Sequence, residues 1–202
     1  MGSVTSCQVV TNMSYWPYKT YMSNSAGPGY EKLVVYWLAT TIYDLTVVFC
    51  DRFIDKRSRT HDQMVQAARS GKQNIVEGNI GESLETNLKL TGVARNSFAE
   101  LLEDYRDFLR QKDLNVWDKN DSRVLAIRQV RDLPNKSYRT YLTYTSNMNS
   151  AESYCNLMVT LCFKEGYLLD RLLVSTKERF IREGGFKENL FKKRMEYRAK
   201  NS

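Results

Sequence analysis

Apolar residues recur at three- and four-residue steps in four long segments, the spacing that places them on one face of an α-helix. Val34, Leu38, Ile42, Leu45 and Phe49 form the first stripe, inside a helix predicted from Tyr30 to Phe53 and widened by Trp37, Val48 and Phe53. A second helix is predicted to start near Thr60, where Thr60 and Gln63 have capping-box spacing. Its stripe of Met64, Ala68, Gly71 and Ile75 is rich in small residues, which lets a neighbouring helix approach closely. Gly78-Asn79 reads as its stop. A third helix begins around Ser83 and carries Leu84, Leu88, Thr91, Ala94, Phe98, Leu101, Tyr105 and Phe108, ending before Trp117. The fourth opens at Asn149–Glu152, again with capping-box spacing. Its stripe is Tyr154, Met158, Leu161, Leu168 and Leu172, and the pattern continues through Phe180.

The signal weakens between Asp118 and Asn149. Val124, Ile127 and Val130 predict a short helix that stops before Pro134, and Tyr138, Tyr141 and Tyr144 mark another turn or two. Gly184-Gly185 breaks the fourth helix, and the remainder reads as a short basic amphipathic segment. Only 3 Pro and 10 Gly in 202 residues leave room for long helices, and no segment shows the alternation of a strand. The expected fold is all-α: an up-down four-helix bundle over 30–174, preceded by a flexible arm over 1–29 and followed by a basic helical suffix over 175–202. The arm is rich in Ser, Thr, Asn, Tyr and Gly and lacks a helical stripe.

Charge sharpens this picture. The net charge is +7, and from Ser175 to Ser202 nine cations face four anions, so most of the excess lies in the suffix. On a helix, Lys187, Arg194 and Arg198 fall near one line. Lys192 and Lys193 are expected to widen that patch, and Phe186, Leu190 and Phe191 to anchor the segment on the bundle. A concentrated positive segment points to a polyanionic partner, since Lys and Arg release counterions condensed on a phosphate backbone.

Candidate chemistry is sparse. Cys7, Cys50, Cys155 and Cys162 form no CxxC pair and read as buried, reduced thiols. The single histidine, His61, reads as a solvent-facing residue of a helix's first turn. Glu100, Glu103, Asp104 and Asp107 have helical spacing but no ExxH partner, and read as a solvated face that pairs with Arg106 and Arg110. No phosphate-cradling, dinucleotide or HExxH motif occurs, so neither an enzyme, a cofactor nor a metal is expected. No apolar run approaches the ~20 residues of a membrane span, and no secretory signal opens the chain, so a cytoplasmic protein without a membrane partner is expected.

The most distinctive stretch is Gln63 to Gly78, a helix that carries polar groups where a bundle ordinarily places leucine. Arg69, Asn74 and Glu77 invite a buried or interfacial hydrogen-bond network. With Gln63, Ala67, Ala68, Ser70, Asn74, Ile75, Glu77 and Gly78 in register, this stretch resembles the signature of the four-helix bundle proteins encoded in intervening sequences of bacterial 23S ribosomal RNA genes, the S23 family. The resemblance continues through the small-residue segment from Val93 to Leu102, and upstream at Tyr30 and Leu33. Leu168 to Phe186 resembles a subgroup with a C-terminal suffix. Gln66 and Gly71-Lys72 depart from the family's Arg and Ile-Pro.

The resemblance implies a ring-like homo-oligomer, typically a pentamer. It also implies kinship with the basic accessory protein of diversity-generating retroelements, which binds nucleic acid and a reverse transcriptase. The expected partners are therefore a second copy of the chain, RNA or DNA, and a reverse transcriptase or ribosomal component. The expected nucleic-acid contacts are Arg69, Lys72, Lys187, Lys192, Lys193, Arg194 and Arg198. Gln63, Asn74, Glu77 and Gly78 are expected to be structural. The competing reading is a protein-only scaffold whose tail docks on a neighbouring subunit.

Overall fold

The computed structural model describes residues 28–81, 83–131 and 144–201. Among the described residues the secondary structure is all-helical, with no strand. Most of the predicted arm lies outside them, as do Cys7, Tyr138 and Tyr141. The elements are a 3₁₀ turn at Gly29–Lys32, α1 (Val34–Phe53), α2 (Arg59–Ile80), α3 (Leu84–Gln111), α4 (Ser122–Gln129), a 3₁₀ turn at Thr145–Asn147, α5 (Ala151–Glu183) and α6 (Phe186–Lys200).

The helix ends show how the local sequence competes. Leu33, with extended φ and ψ, separates the opening 3₁₀ turn from α1, so the stretch predicted as one helix from Tyr30 is two elements. The cap of α2 is Ser58, whose hydroxyl accepts from the Thr60 N–H, and Thr60 itself lies inside the helix. α2 also runs through Gly78 to Ile80, because Gly78 is buried against α3 and does not end the helix. Ser83 caps α3 as expected. Ser150, two residues from the predicted glutamate partner, caps α5 in a reciprocal box with Ser153. α5 is continuous to Glu183, and Gly184 adopts a φ of 77°, the left-handed conformation that a side chain would strain.

α1 packs on α2, α2 on α3, α3 on α5 and α5 on α1, while α4 lies against α5. The contacts run in opposite directions along each sequential pair. Gly78 meets Leu90 and Gly71 meets Phe98. The Cys155 thiol lies 3.1 Å from the Tyr105 carbonyl oxygen, while Arg95 pairs with Asp170 further along. Cys50 approaches Met64 while Lys72 stacks on Tyr43.

The predicted stripes supply the core: Leu38, Ile42, Leu45 and Phe49 from α1, Met64, Ala68 and Ile75 from α2, Phe98, Leu101 and Tyr105 from α3, and Tyr154, Met158 and Leu161 from α5 are all buried. Phe49 is the aromatic hub, with the rings of Tyr105, Phe108 and Tyr154 edge-on at 5.0, 5.0 and 5.4 Å. Two buried tyrosine hydroxyls are satisfied: Tyr105 donates to Thr46 Oγ1 at 3.0 Å and Tyr154 to the Leu45 carbonyl at 2.9 Å. Asn156, buried on α5, accepts from the Trp117 N–H and donates to the Asn115 carbonyl, which latches the segment after α3 onto α5.

Two sequence expectations change here. α1, at 20 residues, is long and apolar enough to cross a membrane by length and composition, although most of it is buried against the other helices. His61 is not a solvent-facing residue: only 16% of its side chain is exposed, and its ring nitrogens lie 3.6 Å from carboxylate oxygens of Asp51 and Asp62.

Candidate nucleic-acid interface

The geometry of the candidate interface begins at the junction between α5 and α6. Gly184 closes α5 by donating its N–H to the Phe180 carbonyl, and the Glu188 carboxylate accepts the Gly185 N–H at 3.1 Å. Glu85, in the first turn of α3, reaches across to this junction. Its carboxylate accepts from the Ser83 hydroxyl at 2.6 Å and from the Phe186 N–H, with Lys187 nearby. These interactions, the Ser83 hydrogen bond first, hold the Glu85 carboxyl below its ordinary pKa. A side chain at Gly185 would collide with Glu85, so a residue without Cβ is required for this approach. A cleft of about 400 Å³ opens beside the contact, between Asn79, Ser83 and Asn87 on one side and Arg179, Phe186 and Asn189 on the other.

Beyond this anchor α6 buries no residue. Leu190, Phe191 and Tyr197 are 55%, 64% and 71% exposed, so the predicted apolar anchoring of the suffix by Phe186, Leu190 and Phe191 does not occur on the chain's own bundle. The hold on α6 is polar and sits at its root. Six cations, Lys187, Lys192, Lys193, Arg194, Arg198 and Lys200, are exposed along it, against Glu188 and Glu196. At about 100° per residue, Lys187, Arg194 and Arg198 fall within one strip of roughly 40°, with Phe191 at its edge. Lys192 and Lys193 lie more than about 100° from its centre and so do not widen it as expected.

The structure does not bring Arg69 and Lys72 to this strip. Both are on α2, on the side nearer α1: Arg69 is exposed, and the Lys72 ammonium sits 4.8 Å from the centre of the Tyr43 ring. Lys72 precedes Asn79, at the α6 junction, by seven residues, or roughly 10 Å of helix. Of the four expected structural residues, Asn74 and Gly78 lie on the side of α2 toward α3, while Gln63 and Glu77 are exposed. Gly78 is buried, and a Cβ there would stand 3.3 Å from Leu90 Cβ. Asn74 donates to the Ser70 carbonyl at 2.8 Å and to its hydroxyl at 3.2 Å, and the Ser97 hydroxyl meets Ser70 at 3.2 Å. Of the three residues expected to form a network only Asn74 takes part in one, with Ser70 and Ser97. Arg69 and Glu77 have exposed positions and are not part of it, because the helix turns them outward.

Gln63 is exposed at the rim of a groove between α2 and α3 of about 460 Å³. Ala67, Ser70 and Ser97 floor it, and Gln66, Glu100 and Asp104 line its sides. This divides the acidic run of α3. Glu103 and Asp107 pair with Arg106 and Arg110 at 2.6 and 2.8 Å, as their spacing predicts. Glu100 and Asp104 turn into the groove with no ion-pair partner among the described residues. Burial raises the Asp104 pKa, and Asp107 and Glu100 add to the shift. Sequence reasoning missed both the groove and the Glu85 anchor. Ser83-Leu84-Glu85 signals a helix start, but nothing in it reveals that the carboxylate also serves another helix.

Cys50, Cys155 and Cys162 are buried and unbridged. Burial is the largest cause of their raised pKa values, which takes the Cys50 thiol to about 12. Among the described residues no cluster of His, Cys, Asp or Glu is arranged to hold a metal ion. Compared with protein-family models, with curated proteins and with solved structures, the chain has no match.

Proposed function

We propose that this chain is the subunit of a non-enzymatic, homo-oligomeric accessory protein that binds RNA or DNA through α6, carried on an up-and-down four-helix bundle. The observation that carries the reading is α6 itself: a helix that buries nothing, held at its root by Glu85, with Lys187, Arg194 and Arg198 aligned beside exposed Phe191. A rigid line of cations beside an aromatic ring suits a single strand, whose phosphates release counterions and whose bases stack. The antiparallel contacts of each sequential helix pair support the up-and-down arrangement. The likeness of Gln63–Gly78 to the S23 signature supports a pentameric assembly, with a reverse transcriptase or a ribosomal component as a further partner.

The protein-only scaffold is the second reading, favoured by the exposure of Leu190, Met195 and Tyr197 on the same helix. Ending the chain after Gly185 separates the two, because α6 contributes nothing to the core. The first reading predicts a folded chain that no longer binds a fluorescent single-stranded oligonucleotide. The second predicts oligonucleotide binding that is absent before and after truncation.

A further inference from the structure

We propose that Leu190, Lys193, Tyr197 and Lys200 of α6 dock into the α2–α3 groove of a second copy of this chain, with the two ammonium groups against Glu100 and Asp104. The inference rests on the homo-oligomer part of the proposed function and adds which surfaces meet.

The register of α6 comes first. Residues 190, 193, 197 and 200 step by three, four and three and share one line, about 100° around the helix from the line of Lys187, Arg194 and Arg198. α6 therefore has two adjacent faces. One is purely cationic, and the other alternates an apolar side chain with a lysine. Leu190 and Tyr197 on the second face are 55% and 71% exposed. Seating this face leaves the cationic face open to a phosphate backbone.

The groove has the complementary pattern. Its floor of Ala67, Ser70 and Ser97 is small enough to admit a leucine or tyrosine, and the Ser70–Ser97 hydroxyl contact at 3.2 Å fixes the spacing of the two helices. Its wall carries Glu100 and Asp104, unneutralised while their neighbours Glu103 and Asp107 each hold an arginine. The crowding of Asp104 by Asp107 and Glu100 shows a site short of positive charge, as does the part-burial that raises its pKa. A lysine brought there finds one partner, and α6 supplies two lysines without carboxylate partners among the described residues.

The occupant comes from another copy because the chain's own α6 cannot bring all four residues to the groove. α6 is anchored at Glu85, and Ser97 to Asp104 lie 12 to 19 residues further along α3, or roughly 18–28 Å. Even if α6 folded back along α3, Leu190 and Lys193, roughly 8 and 12 Å past Gly185, would fall about 10 and 6 Å short, and only Tyr197 and Lys200 would come level with the groove. Tail-to-groove contacts between copies are head-to-tail, the kind that closes into a ring or extends as a filament.

Two full-length variants test this. In one, Glu100→Lys and Asp104→Lys reverse the groove; in the other, Lys193→Glu and Lys200→Glu reverse the tail. Association is read by sedimentation velocity, and folding by circular dichroism. The expected result is association weakened about tenfold or more in each variant alone, because like charges then meet. An equimolar mixture is expected to recover most of the lost association, since tails and grooves of opposite sign then meet at every contact of an open assembly and at all but one contact of a five-membered ring. The tail variant alters no buried residue and keeps the test valid if the groove variant misfolds. Variants that associate like the unaltered chain overturn the docking proposal alone, as does a mixture no better than its parts. An unaltered chain that is monomeric at tens of micromolar overturns both the docking and the oligomer reading.

Discussion

Gly71→Ala adds one methyl group where α2 touches α3, and the structure places that carbon 2.6 Å from Cε2 and Cζ of Phe98. Ordinary contact begins near 3.4 Å, so ring and helix must separate by most of an ångström. Phe98 is 1% exposed, so its ring yields only by moving against buried neighbours. Overpacking of this kind costs about 1–3 kcal/mol, against a helix-propensity gain of about 1 kcal/mol for Ala over Gly. The net expectation is a loss of about 1 kcal/mol. Gly92→Ala in α3 is the internal control, because a Cβ there meets nothing within 4 Å and the full gain of about 1 kcal/mol is realised. The two variants should therefore differ by about 2 kcal/mol, a separation of roughly 4–8 °C in Tm for a chain of this size. Urea and thermal unfolding by circular dichroism measure both. Gly71→Ala combined with Phe98→Leu should lose less than the two single changes together, since the second removes the obstacle to the first. Equal stabilisation by Gly71→Ala and Gly92→Ala would refute the close α2–α3 approach.

Asp104 has a raised pKa in the folded chain, so the folded state binds more protons than the unfolded one and its ionised carboxylate opposes folding at neutral pH. Asp104→Asn should leave the unassociated subunit unchanged or stabilise it by up to roughly 0.5 kcal/mol, read by urea unfolding at pH 7. Glu85 has the opposite sign: its pKa is lowered, so its contribution is present at neutral pH and lost as pH falls below the ordinary carboxylate range. Glu85→Ala, or acidification of the unaltered chain, should lower the protection of the Phe186–Asn189 amides against hydrogen exchange, measured relative to the intrinsic rate at each pH, while protection in α1 is unchanged. Buried thiols with raised pKa values should react with an aromatic disulfide reagent at pH 8 only as fast as the chain unfolds, and rapidly in urea; fast labelling of Cys50 in the folded chain would contradict its burial.

The core was legible from spacing because each stripe answers to a single helix: Leu38, Ile42 and Leu45, or Phe98, Leu101 and Tyr105, are buried where their periodicity places them. The small-residue stripe of α2 was legible in the same way, and Gly71 against Phe98 is the close approach it predicts. Caps were read less well, because Ser58, Thr60, Asn149 and Ser150 all carry suitable side chains and only the backbone path selects among them. The groove was illegible for a different reason. Glu100 and Asp104 are indistinguishable from Glu103 and Asp107 until the position of α2 is known. The independence of α6 was hidden because Phe186, Leu190 and Phe191 have the composition of a docked face, and composition does not say whether a partner surface lies within reach.

The most direct test of the central claim is the salt dependence of oligonucleotide binding, measured by fluorescence anisotropy for the full chain and for the triple change Lys187→Ala, Arg194→Ala and Arg198→Ala. If these three cations meet phosphates of a single strand, the logarithm of affinity falls with the logarithm of salt by roughly 0.7 per contact, so the triple change should flatten the slope by about 2 and weaken binding at low salt. Binding that keeps its slope after the triple change, or a full chain that binds no single strand at low salt, would contradict the account.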